Sequence, residues 1–122
     1  MIVPAMAQKN PLYKGSESTE SFIELPKPTM KGGMPLYEAL KQRQTTRTFS
    51  KQELSLQQVS DLLWCANGVN REDGKRTAPS ARNAQEIEIY VFSSGGIFLY
   101  IPEKNILERI SKEDRREEMS GQ

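Results

Sequence analysis

Arg43-Gln44-Thr45-Thr46-Arg47 sets two guanidiniums four residues apart with hydroxyls between them, and Phe49 follows. A chain leaving a helix through such a segment can aim both cations and a hydroxyl at one phosphate or one polarised carbonyl. The same spacing also describes an ordinary solvated helix end. Further along lies Pro79-Ser80-Ala81-Arg82-Asn83-Ala84-Gln85. Its small residues let a ligand approach the backbone, while Ser80, Asn83 and Gln85 supply donors and acceptors. A capped junction between a loop and a helix would look the same.

Composition narrows what such residues can do. The chain has 122 residues, one cysteine and no histidine. Intramolecular disulfides, Cys/His metal sites and Ser-His or Cys-His catalytic pairs are therefore excluded. Any chemistry must come from carboxylates, lysine, tyrosine or a bound cofactor. Net charge is 17 − 16 = +1, which gives no broad basic face for nucleic acid. The charge is local instead. Residues 41–52 hold Lys41, Arg43, Arg47 and Lys51 and no acid, which suits a single anion. Trp64 and Cys65 suit packing or an interface better than catalysis. The mixed charges of Lys112 to Glu118 suit a solvated helix.

These residues need elements to position them. Pro35 suits a first helical position, and Leu36, Tyr37 and Leu40 then share one face. Thr45, Thr46 and Thr48 disfavour helix, so that helix ends near Arg43 or Gln44. Ser55 with Gln58 forms a capping box for a second helix, in which Val59, Leu62, Leu63 and Ala66 recur at helical spacing. Gly68 is its expected stop. A polar loop over 69–85 is expected to turn into a short helix at Ala81 to Ala84. Glu86 to Phe92 alternates as a strand, with Ile87, Ile89 and Val91 on one face. Ser93-Ser94-Gly95-Gly96 is a turn, Ile97 to Ile101 a second strand and Ile106 to Ile110 a third. Ser111 is expected to cap a helix through Glu118. Helix, helix and β-meander make the class α+β.

The remaining segments carry weaker signals. Residues 8–32 are rich in Pro, Gly, Ser and Thr and read as a linker or extension, with Phe22, Ile23 and Leu25 as one extended piece packing on the surface. Met1 to Ala7 ends in Ala5-Met6-Ala7 and resembles the tail of a secretory leader, an expectation of export that competes with a cytoplasmic location.

The two ligand-suited segments occur in a definite order: a helix, Arg-x-Thr-x-Arg-x-Phe, a capped apolar helix, a polar loop, Pro-Ser-x-x-Asn-x-Gln, then a strand. This order resembles the FMN-dependent nitroreductase superfamily. The phrases Leu63-Trp64-Cys65-Ala66-Asn67-Gly68-Val69-Asn70 and Gly74-Lys75-Arg76-Thr77-Ala78-Pro79-Ser80 are most similar to its azoline-oxidase-like dehydrogenase branch. The resemblance implies a three-layer α/β/α fold, with residues 33–122 as its N-terminal half. It implies that Arg43, Gln44 and Thr45 lie at an FMN phosphate. Arg47 would lie beside the pyrimidine edge of the flavin, where a cation stabilises charge on the reduced ring. Pro79, Ser80, Ala81, Asn83 and Gln85 would reach FMN from the opposite subunit of a homodimer. Most relatives place proline after this glutamine, and Glu86 stands there in this chain.

The resemblance also implies electron transfer from NAD(P)H or a substrate through the flavin, to a small acceptor or from an azoline-type substrate. Further strands, a flavin-facing loop, late basic residues and a C-terminal arm belong to the family and do not follow Gln122. The expectation is therefore a truncated chain with little turnover of its own. The alternative is a non-catalytic dimerisation or partner-binding domain without flavin.

Overall fold

Gly96-Ile97-Phe98-Leu99-Tyr100-Ile101 is the central element of the fold. Its β-branched and aromatic residues favour a pleated surface. Alternate side chains bury: Phe98 and Tyr100 face the core, while Ile97, Leu99 and Ile101 stay half-exposed. The computed structural model describes residues 10–16 and 18–120. The leader-like residues 1–7 lie outside the described residues.

Among the described residues four strands form one antiparallel sheet: β1 (Phe22–Glu24), β2 (Tyr90–Ser93), β3 (Gly96–Ile101) and β4 (Ile106–Ser111), in the order β1-β4-β3-β2. The expected meander supplies three of these, and the α+β class holds. At the β2–β3 turn Gly96 has φ 131°, and a Cβ there would lie 2.1 Å from the Ser111 carbonyl oxygen, so only glycine fits. At the next turn Asn105 takes φ 51°. Its amide donates to the carbonyls of Leu25 and Pro26, at 3.4 and 3.2 Å.

Helix α2 (Leu56–Asn67) forms with the expected capping box of Ser55 and Gln58. It places Val59 and Leu63 in one cluster with Phe98, Tyr100 and Leu107. Gly68 follows with ordinary φ −73°, so the left-handed stop expected of it is not used. The glycine is needed for space, because a Cβ would meet the Trp64 ring at 2.3 Å.

Described residues of segment 8–32 pack on the body of the fold. Leu12, Ile23 and Leu25 belong to the core, and β1 pairs with β4 along Phe22↔Glu108, Ile23↔Leu107 and Glu24↔Ile106. The buried Ser60 hydroxyl donates to the Pro26 carbonyl at 2.5 Å. The segment shows no period because it joins turns and a three-residue strand, with too few residues in either to repeat.

Two further expectations change. The strand expected from Glu86 begins at Tyr90, although Tyr100 N–H still reaches the Ile89 carbonyl at 2.9 Å. Ile89 and Val91 pack on the core, but Ile87 is 57% exposed, and its carbonyl is taken by the Asn67 amide. The expected helix after Ser111 reduces to one 3₁₀ turn, Arg116–Met119. Arg115 pairs with Glu113 and Arg116 with Asp114, at 2.8 and 2.7 Å. These pairs are two residues apart and favour a turn over a helix, where partners sit three or four apart.

Candidate functional site

Thr29 and Leu54 are the two points where an exposed arm joins the body. Thr29 N–H donates to Asp61 at 2.7 Å, and this bond, with a second from Gln57, holds the Asp61 carboxyl below its ordinary pKa. Leu54 N–H donates to the Tyr13 hydroxyl at 2.8 Å, and Asn10 donates to the Leu54 carbonyl at 3.0 Å. Every residue between these points is exposed.

Helix α1 (Leu36–Gln42) lies in this arm and buries none of its residues. Its expected apolar face is present but uncovered: Leu36 is 69%, Tyr37 86% and Leu40 58% exposed. The helix ends at Arg43, as the threonines require, and the chain runs on outside any helix or strand. Arg43, Gln44, Thr45 and Arg47 therefore project from an open segment. Among the described residues no carboxylate pairs with either arginine. Both cations remain available to a ligand.

The second segment is a shaped loop. It leaves α2 through Gly68, whose carbonyl accepts from Thr77 N–H at 2.9 Å. A short excursion turns at Gly74 and closes with the bridge Val69↔Arg76. The expected short helix appears as a 3₁₀ turn, Ala81–Asn83. Arg82, Asn83 and Gln85 all have left-handed φ, at 55°, 54° and 51°. Such residues cost free energy unless their surroundings hold them, and they gather where function needs a fixed shape.

The loop supplies that hold itself. Ser80 Oγ accepts from Gln85 N–H at 2.7 Å and donates to Glu86 Oε2 at 2.9 Å. Gln85 Nε2 donates to the Gly74 carbonyl at 3.2 Å and to Asn83 Oδ1 at 3.1 Å. Glu86 titrates below the ordinary carboxylate range, because its own backbone N–H and the Ser80 hydroxyl stabilise the anion.

Pro79, Ser80, Asn83 and Gln85 line one cleft with Asn67, Arg76, Ala78 and Ile87, while Ala81 lies on the turn outside it. Arg76 pairs through Nη2 with Glu103, and its buried Nε has no partner among the described residues. The cleft beside it has a volume of ≈ 20 Å³, room for one water-sized acceptor. Asn67, Arg76 and Glu86 were not among the residues expected from sequence. Asn67 had a signal: it continues the Val59, Leu63 spacing by another four residues, which puts an amide on the buried face.

One copy of the chain does not unite the two segments. No hydrogen bond or ion pair among the described residues joins 43–47 to 79–85, and the cleft takes no side chain from the arm.

A model of the nitroreductase family matches residues 40–122, a span that contains both segments. The chain belongs to the nitroreductase family. A nitroreductase homologue named from Methanocaldococcus jannaschii is 33% identical over 91 residues, 70% of this chain and 46% of that protein. A crystal structure described as a nitroreductase, from Ralstonia eutropha JMP134, is 44% identical and superposes with a TM-score of 0.74 over 78% of this chain and 46% of that one. The chain thus spans about half the length of the nitroreductase relatives it matches.

Proposed function

We propose that this chain forms one flank of an FMN site in a flavin-dependent oxidoreductase. The observation that carries the reading is the arm: two guanidiniums without an ion pair among the described residues, and a hydroxyl, on an exposed segment inside the span matched by the family model. Arginine forks suit phosphate oxygens, so Arg43, with Thr45 and Gln44, would hold the FMN phosphate. Arg47 would lie against the flavin ring and favour negative charge there. Bound FMN would supply two-electron chemistry between NAD(P)H, or a reduced substrate, and an acceptor.

The loop would approach the same flavin from a second copy. Support comes from the separation of the two segments in one copy and from the apolar face of α1, which has no cover among the described residues. The residues fit a flavin on two counts: among the described residues, the arm's arginines have no carboxylate partner and the buried Nε of the cleft-lining Arg76 lacks an acceptor. Residues 33–122 would then be one half of the relatives' domain. The phrase Gly74 to Ser80 resembles the azoline-oxidase-like branch and does not separate azoline oxidation from nitro or quinone reduction.

A second reading, a dimerisation domain without flavin, is favoured by the same exposed α1 face. The absorption spectrum of the purified protein, with FMN fluorescence titration and NAD(P)H oxidation in excess FMN, tests both. Flavin bands and saturable quenching support the first reading. A colourless protein that leaves FMN fluorescence unchanged supports the second.

A further inference from the structure

A serine hydroxyl has one proton to give and two positions at which to accept. Ser80 gives its proton to Glu86 Oε2 at 2.9 Å and accepts from Gln85 N–H at 2.7 Å. What remains for a ligand is a lone pair. Asn67 lines the same cleft and is less restricted: its amide nitrogen donates one N–H to the Ile87 carbonyl at 3.3 Å and keeps a second N–H beside its acceptor oxygen. Asn83 Oδ1 is likewise an acceptor and already receives Gln85 Nε2. The ionised Glu86 can only accept, so it does not release Ser80 by reversing the bond. The left-handed residues between Ser80 and Glu86 keep the loop from turning Ser80 elsewhere at low cost.

We propose that Glu86 sets the hydrogen-bonding sense of Ser80: by holding the Ser80 proton it makes Ser80 an acceptor, so this position favours a ligand N–H, while Arg76 Nε in the same cleft, unpartnered among the described residues, suits a neighbouring ligand carbonyl. The inference rests on the flavin reading, and oxidised flavin carries one such ring N–H, at N3 between two carbonyls. Glu86 acts through Ser80 and is a positioning residue.

The test compares FMN with N3-methyl-FMN, which keeps the phosphate and loses the donor. Dissociation constants come from fluorescence quenching of the 122-residue protein, the Glu86→Ala variant and the Ser80→Ala variant. The intact protein should bind FMN about tenfold more tightly than the methylated form, the effect of one lost hydrogen bond and an acceptor left unpaired. Glu86→Ala frees the hydroxyl to rotate, and the ratio should fall to about twofold or less. Ser80→Ala should lower it similarly. Glu86 is exposed, and circular dichroism confirms that the variant folds. If it does not, Glu86→Lys serves, because an ammonium can only donate to Ser80 and should likewise lower the ratio. Equal affinity of the intact protein for both flavins overturns this inference and leaves the flavin reading standing. A preference that survives in folded Glu86→Ala also overturns it. Binding of neither flavin overturns both.

Discussion

The Arg109 guanidinium lies 4.7 Å from the centroid of the Phe98 ring and donates to the carbonyls of Gly95, Ser18 and Glu20, at 2.7, 3.4 and 3.3 Å. One side chain on β4 thereby ties the segment before β1 to the β2–β3 turn. Arg109→Ala should destabilise the protein by about 2 kcal/mol, through lost hydrogen bonds to a charged group and lost contact with the ring. Arg109→Lys should recover only part of this, because an ammonium cannot reach three carbonyls from one plane. Urea denaturation of the three proteins decides it, and equal midpoints for all three would remove the role.

Arg43 should matter for ligand and not for folding. It is exposed and makes no ion pair among the described residues. Arg43→Ala should lower FMN affinity about 10- to 100-fold, as expected for a hydrogen bond to a charged group, and leave the melting temperature within a degree or so. Unchanged affinity in a flavin-binding protein would reject the phosphate assignment.

The exposed α1 face makes self-association testable. Leu40 is 58% exposed on a helix that buries nothing. Sedimentation at micromolar concentration should show a dimer, and Leu40→Glu should shift it toward monomer, since a carboxylate on an apolar interface must be desolvated. A folded monomer of the unaltered protein contradicts the shared-site reading.

Asp114 gives a pH signature. The Arg116 side chain, then its backbone N–H, lowers the Asp114 pKa to about 2 from an ordinary 3.8. A depressed folded-state pKa contributes stability above the unfolded value, and that contribution is lost as pH falls from 3.8 toward about 2. Carboxyl NMR titration should place the midpoint near the low value, and Arg116→Ala should return it toward the ordinary one. An unmoved midpoint in the variant would assign the shift to another cause.

By itself the sequence determined the elements whose causes are local. The α2 capping box depends on Ser55 and Gln58 alone. The end of α1 follows from the threonines, and the turns at Gly95-Gly96 and Pro102-Asn105 follow from residues that tolerate unusual φ. The family order of the two ligand-suited segments was legible for the same reason, since it is a linear pattern. Tertiary structure decided what depends on partners distant in the chain. Leu12 and Ile23 are core residues because β4 and α2 meet them, and no periodicity in residues 8–32 could announce that. Leu36 and Leu40 stand exposed because no described element covers them, although their spacing promised a buried face. Ser80 became an acceptor only once the left-handed residues between it and Glu86 folded the carboxylate back onto its proton.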